Sequence, residues 1–405
     1  MGADRPPDAG DLRPSRPRGS ASRRVKIAVL GTRGVPAAYS GFETCAEQVG
    51  KRLAGAGHTV IIYCRRGRTA TAGPTYLGMR RVLAPCIRSK GLETLTHTIC
   101  SSLRALAIDR PDAALVFGVG NAFACRPLRA LGIPVALNVD GADWARPKWG
   151  IAGRRFLKWS ERLAARGADV VIADSAVVAH HYRAVHGIEP AQIPYGAEID
   201  PQAGTRALER FGLRPGSYLL AVGRLVPENG FHDLIAGYAR ARLTTPLVIV
   251  GDAPYAASYK RRLRKLAPPG VVFTGYQFGA AYQELSAHAL AFVFGASVGG
   301  THPVLVEQLA HGNYVIARWT ESNQEVAGDA AAYFHQPDEL AGRLRELGIE
   351  RPALQAARDR SRARARRYSW QTVTDQYEQV LAQLVSPAAA SKHATATRSG
   401  SPRQG

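Results

Sequence analysis

Gly299-Gly300-Thr301-His302-Pro303-Val304-Leu305-Val306-Glu307 runs on into Gln308-Leu309-Ala310-His311-Gly312-Asn313-Tyr314-Val315-Ile316-Ala317. An apolar run at 290–294 leads into this small-residue turn, and the pattern predicts a helix that begins near Pro303. At a helix start the backbone N–H groups lack acceptors and the helix dipole presents its positive end, so such a turn can hold a phosphate without a metal. Glu307 falls on the first turns of that helix, Gly312 closes it, and 314–317 reads as the next strand. Strand, glycine turn, helix, strand is the grammar of an open parallel sheet. A glycine turn before a helix also occurs in many α/β proteins that bind nothing there.

The same grammar opens the chain. Val25-Lys26-Ile27-Ala28-Val29-Leu30 is a buried-strand run, followed by Gly31-Thr32-Arg33-Gly34-Val35-Pro36-Ala37-Ala38-Tyr39-Ser40-Gly41-Phe42-Glu43-Thr44. Glycines let the backbone turn sharply and approach a ligand, and Glu43 opens an amphipathic helix through Leu53. Between these ends, strand-like and helical runs alternate. Candidate strands at 25–30, 58–63, 113–117, 135–139 and 169–173 form one doubly wound parallel sheet, and those at 218–222, 247–250, 271–274, 291–294 and 314–317 form another. The segment Ile193-Pro194-Tyr195-Gly196-Ala197-Glu198 suits a linker, and an Arg-rich helix over 351–367 precedes Tyr368-Ser369-Trp370.

These segments resemble retaining glycosyltransferases of family 4, which have the two-domain GT-B architecture. The 31–44 stretch is similar to the opening of a rhamnosyltransferase-like branch, with Ser40 in place of a usual glycine. The resemblance covers about residues 25–385. It implies an α/β, GT-B fold, two Rossmann-like domains facing across a cleft, with a C-terminal helix crossing back to the first. The expected division is a tail over 1–24, an acceptor-side domain over 25–195, a nucleotide-sugar domain over 196–370, a crossing helix over 371–386 and a tail over 387–405.

The resemblance also implies roles. Arg224, in Val222-Gly223-Arg224-Leu225-Val226-Pro227-Glu228-Asn229, would pair with the donor diphosphate through its fork of N–H groups. Asn229 stands where a Lys is common. Glu307 matches the second Glu of the family's E-x₇-E motif and would hold a ribose, whereas Gly299 occupies the place of the first Glu, which contacts sugar hydroxyls. Backbone N–H groups near Gly300 and Thr301, with the Thr301 hydroxyl, are the expected substitutes. Pro303 and Val304 open the phosphate-holding helix, Gly31 and Gly34 approach the donor from the first domain, and Gly251 and Tyr276 lie near the nucleoside. Asn138-Val139-Asp140-Gly141-Ala142-Asp143-Trp144 places Asp140 against the donor sugar as a catalytic residue together with Arg224 and Glu307. Tyr39, Glu43, Asp143 and Trp144 are the expected acceptor contacts. A turn or capping role for Asp140 is the plainer alternative.

Composition sets limits. At 405 residues the chain exceeds the usual single-domain size. Five cysteines in the first 125 residues, without C-x-x-C or Cys/His spacing, fit a reduced compartment and packing roles. No Asp-x-Asp occurs, and His180, His181, His302 and His311 show no metal-ligand spacing, so neither metal nor cofactor is expected beyond the nucleotide-sugar substrate. No apolar stretch approaches bilayer length, which predicts a cytoplasmic enzyme. The net charge of +21 is the compositional anomaly. No zinc finger or RNA-binding signature accompanies it, so nucleic acid is not an expected partner. Attraction to an anionic membrane surface at the inner face is, fed by Arg65-Arg66-Gly67-Arg68 and Arg154-Arg155. The acceptor is a glycan, a lipid-linked glycan or a natural product. The competing reading, motivated by Gly299 and Asn229, is a non-catalytic sugar-nucleotide-binding partner of another glycosyltransferase.

Overall fold

The computed structural model describes residues 24–37, 41–67, 73–89, 92–139, 150–199, 202–254, 256–347 and 351–386. Tyr39, Asp140, Asp143 and Trp144, and both tails apart from Arg24, lie outside the described residues.

Two sheets carry the fold. The first contains β1 (Lys26–Leu30), β2 (Thr59–Arg65), β3 (Thr75–Tyr76), β4 (Met79–Ala84), β5 (Ala113–Phe117), β6 (Val135–Asn138), β7 (Val170–Ala173) and β8 (Ala191–Gln192). Its order is β3-β4-β2-β1-β5-β6-β7-β8, parallel except for the β3–β4 hairpin. The second contains β9 (Leu219–Val222), β10 (Leu247–Val250), β11 (Val271–Gly275), β12 (Ala291–Phe294), β13 (Tyr314–Arg318) and β14 (Ala331–Phe334), ordered β11-β10-β9-β12-β13-β14 and wholly parallel. Helices cover both faces, so the central strands are apolar without alternation: β5 and β10 are buried at every residue.

The α/β, GT-B arrangement of two Rossmann-like domains is therefore present. Sequence patterning missed β3, β4, β8 and β14. The first and third of these are two-residue edge strands, and β4 carries Arg80 and Arg81, with Arg80 and Leu83 exposed.

The helix Trp370–Leu384 returns to the first domain. Trp370, Val373, Tyr377, Leu381 and Leu384 share one core with Val29, Cys45, Val49 and Leu53. Within that core the Tyr377 hydroxyl accepts the Asn138 side-chain amide at 2.7 Å. At the crossing, Ala197 bridges to Ser369, and Gly196 lies so close to the Trp370 indole that a Cβ would sit 2.6 Å from it.

Candidate active site

In a doubly wound sheet, ligands bind beyond the carboxyl ends of the strands, at the point where the strand order reverses. In the second sheet that point lies between β9 and β12. Arg224 follows β9 and Gly299 follows β12, so the two flank it, while Gly251 follows β10 and Tyr276 follows β11. Four adjacent strand ends thus deliver four of the predicted donor residues along one edge. Close contacts fix their loops. A Cβ on Gly251 would lie 2.0 Å from the Gly223 carbonyl oxygen, and one on Gly230 would lie 2.3 Å from that of Gly295. The Ser297 N–H is donated to the Glu228 carbonyl at 3.0 Å, which binds the loop after β9 to the loop after β12.

Arg224 is half-buried, and its side chain forms no ion pair with a carboxylate among the described residues. Asn229 donates its side-chain amide to the Arg224 carbonyl at 2.8 Å. Where a lysine would add charge, this asparagine closes the turn that carries Arg224. Tyr276 is 40% exposed and stacks on Phe278 with ring centroids 5.5 Å apart, a flat aromatic surface at the end of β11.

Glu307 sits on the helix Pro303–Ala310, whose first residue is proline. Its carboxylate accepts the hydroxyl of Tyr282, which in turn accepts the Gln308 side-chain amide at 3.2 Å. Gln308 is held by Ser286 and Asn313. Burial pushes the Glu307 carboxyl up to about 7, and the Tyr282 hydrogen bond offsets only part of that rise. A carboxylate desolvated this way, with no cation beside it among the described residues, is a group held ready for a hydrogen-bond donor from outside.

The turn before this helix differs from expectation in one respect. Thr301 is 5% exposed, its N–H is donated to Asp174 Oδ2 at 3.0 Å, and its hydroxyl to the Asp174 carbonyl. Both Thr301 donors expected to recognise the sugar are committed to a first-domain residue. Gly300 is packed on the same carboxylate, where a Cβ would lie 2.1 Å from Asp174 Oδ1. At Gly299, the space a side chain would fill is taken by the His302 ring, 2.5 Å from an added Cβ. That ring itself rests edge-on against Phe294.

Asp174 was not singled out by the sequence. It directly follows β7, at the ligand-binding edge of the first sheet, and precedes Ser175, which caps the helix Ala176–His186. A carboxylate at such an edge is the signal that could have found it. The start of that helix is a second junction: the Ala176 N–H and the Gln192 amide both reach Glu325 Oε1, at 2.6 and 2.8 Å. Gly41 meets Pro303 as well, with 3.1 Å between an added Cβ and the proline ring. The two glycine-rich motifs, distant in sequence, thus face each other across the cleft.

In the first domain, Glu43 requires a correction. It is 4% exposed, and its carboxylate accepts the Arg33 N–H at 3.1 Å, while Glu47 accepts the Ala37 N–H at 2.7 Å. The helix Gly41–Gly55 therefore clamps the 31–37 loop, and Glu43 is not presented to an acceptor. Gly31 (φ +89°) and Gly34 (φ +103°) are forced by packing: a Cβ would lie 2.3 Å from the Phe117 carbonyl oxygen in one case and 2.4 Å from Cys64 Sγ in the other. Arg65 also departs from expectation. It is 5% exposed and turned to Glu93 and Thr94, so it contributes nothing to a basic surface.

A cavity of about 500 Å³ lies between the domains, with Glu161, His181 and Tyr182 on one wall and Gly299, Trp319 and Ser322 on the other. Among the described residues, Gly299 is the one predicted donor residue lining it. His181, read from sequence as showing no metal-ligand spacing, clusters at this wall with His186 and with Glu161 from a different helix, Ile151–Gly167.

The fold and this edge of strand ends have the GT-B arrangement. Residues 40–196 match the glycosyl transferase 4-like domain, and residues 216–348 match the glycosyl transferases group 1 domain. The chain is 32% identical over 177 residues to a GDP-mannose-dependent alpha-(1-6)-phosphatidylinositol monomannoside mannosyltransferase of Mycolicibacterium smegmatis. That match spans 38% of this chain and 46% of the relative, about half its length. Among solved structures, sucrose-phosphate synthase from Thermosynechococcus elongatus superposes with a TM-score of 0.77 at 19% identity, over 89% of this chain and 99% of that one. An Anabaena protein solved in complex with UDP-glucose gives 0.71 at 17% identity, over 89% and 100%. At these identities the two structures speak for the fold alone.

Proposed function

We propose that this protein transfers a hexose or deoxyhexose from a nucleotide sugar to a glycan, lipid-linked glycan or natural-product acceptor, with retention at the anomeric carbon. The observation that carries the reading is the edge of the second sheet. Tyr276, Gly251, Arg224 and Gly299 are set side by side there, next to a desolvated Glu307. The nucleobase would lie against Tyr276 and Phe278, the ribose hydroxyls would donate to Glu307, and the diphosphate would meet Arg224 and the first turn of the helix Pro303–Ala310. Departing negative charge is then matched by preorganised donors rather than by a metal. Asp140, two positions past β6 in sequence, is proposed to face the donor sugar.

Rhamnose from dTDP-rhamnose is the preferred donor. Gly299 offers no carboxylate for sugar hydroxyls and the Thr301 donors are occupied, which supports a sugar with one hydroxyl fewer. The mannosyltransferase relative makes GDP-mannose the principal rival. A thermal-shift and turnover panel of dTDP-rhamnose, GDP-mannose and UDP-glucose tests the reading. Stabilisation and transfer with the dTDP-sugar alone are expected. Preference for GDP-mannose would replace the rhamnose reading, and binding without transfer or hydrolysis by any donor would favour a non-catalytic partner.

Membrane contact is part of the proposal, carried by the helix Ile151–Gly167. It exposes Ile151 (80%) and Trp159 (49%) beside exposed Arg154, Arg155 and Arg162. Apolar and aromatic side chains among cations are what an interfacial helix needs. No helix among the described residues is long and apolar enough to cross a membrane. Vesicle binding that rises with anionic lipid and falls with salt supports the contact, and equal partitioning onto neutral vesicles contradicts it.

A further inference from the structure

The wall of the interdomain cavity holds a cluster that sugar transfer does not use. Glu161 is 5% exposed on the inner face of the helix Ile151–Gly167. His181 and His186 come from the helix Ala176–His186 packed beside it. His181 Nε2 lies 3.3 Å and His186 Nε2 lies 3.7 Å from the same carboxylate oxygen, Glu161 Oε2. All three atoms fall within 4.8 Å of one another.

Ligands held at 2.0–2.1 Å from a tetrahedral zinc ion are about 3.3 Å apart, so two edges of this triangle have nearly the required length. A second observation concerns His186. Its side chain is 8% exposed, its ring packs against Tyr182 at 5.2 Å, and its Nε2 has no hydrogen-bond partner. A buried, unpaired ring nitrogen aimed at a carboxylate already engaged by another imidazole leaves room for an electron-pair acceptor between them.

We propose that Glu161, His181 and His186 form a zinc site. The donor set is two imidazoles and one carboxylate, which suits zinc over calcium or magnesium. Glu161 and His181 line the cavity, so the fourth position faces it, and water or a ligand oxygen completes the tetrahedron. The ion ties the two helices together and stiffens the first-domain wall. The site contains neither Arg224 nor Glu307, so it stands independently of the proposed sugar transfer.

The test uses the full chain without a polyhistidine tag, stripped of metal and titrated with zinc chloride, then with cobalt chloride as a spectroscopic probe. One zinc per chain is expected, with a raised melting temperature and the intense visible absorption of four-coordinate cobalt. H186Q, H181Q and E161Q are each expected to lower zinc affinity at least about tenfold and to abolish the cobalt spectrum. H180Q, an exposed neighbour on the same helix, is expected to leave both unchanged. Should the cluster variants fail to fold, the wild type decides: zinc must protect His181 and His186, but not His180, from carbethoxylation mapped by mass spectrometry. No stoichiometric zinc, six-coordinate cobalt, or protection that spares the cluster overturns the proposal.

Discussion

The two glycine-rich motifs face each other across the cleft, yet they treat their polar groups in opposite ways. In the 31–43 stretch, carboxylates serve the backbone: Glu43 holds the Arg33 N–H and Glu47 the Ala37 N–H, and the glycines are dictated by Phe117 and Cys64. In the second domain, Glu307 is desolvated with Tyr282 as its one partner among the described residues, and Arg224 has no described carboxylate beside it. A first-domain loop whose groups are internally satisfied is a scaffold. A second-domain edge whose charges are left open is where the proposal puts the donor. Similar motifs therefore differ in what a substitution will break, stability on one side and donor affinity on the other.

The largest effect is expected from Gly34→Ala. Its φ of +103° and the 2.4 Å approach to Cys64 Sγ leave no room for a methyl group. A loss of about 3 kcal/mol or more in denaturant unfolding is expected. Wild-type stability would mean that the loop is loose and the scaffold reading wrong. Arg224→Ala comes next, weakening donor binding by about 1.5–3 kcal/mol through a lost charge-assisted contact. Its melting temperature should not move, and calorimetry showing unchanged donor affinity would place the diphosphate elsewhere. Glu43→Ala should do the reverse, costing about 1–3 kcal/mol of stability by removing the acceptor of the part-buried Arg33 N–H, with donor affinity intact once folded. The smallest effect is expected from excess chelator. Turnover should persist, because Arg224 and a helix start would carry the diphosphate charge. A strict manganese or magnesium requirement, restored on re-addition, would contradict it.

The strand-turn-helix alternation made both sheets readable from sequence, since buried parallel strands such as Leu247–Val250 are apolar throughout. Short or charged edge strands escaped because a two-residue strand has no period, and because Arg80 and Arg81 interrupt β4. At the site, residues that lie next to their own strand end, Arg224 and Gly251 among them, could be placed from order alone. Partnerships across the cleft could not. Nothing local says that Thr301 will be bound by Asp174, or that Glu161 will meet two histidines, because each pair depends on how separate elements dock. Glu43 misled for a related reason: an acidic residue at a helix start looks available until the loop it holds is seen.

Glu307→Gln tests the central claim most directly, that this carboxylate is kept desolvated for a ligand at a cost to the fold. Its carboxyl is raised from 4.5 to about 7, so between those values the folded state holds a proton that the unfolded state has released. Wild-type stability therefore falls as pH rises through that window, by at most about 3.5 kcal/mol at roughly 1.4 kcal/mol per unit. Glutamine keeps the acceptor for Tyr282 and removes the ionisation. Unfolding of the donor-free proteins should show near-equal stability at pH 4.5 and a variant more stable by about 1–3 kcal/mol at pH 8. Wild-type donor affinity should strengthen as pH rises through about 7, and the variant should lose it. A variant less stable at pH 8 with wild-type donor affinity would make Glu307 a structural residue and move the nucleotide site elsewhere.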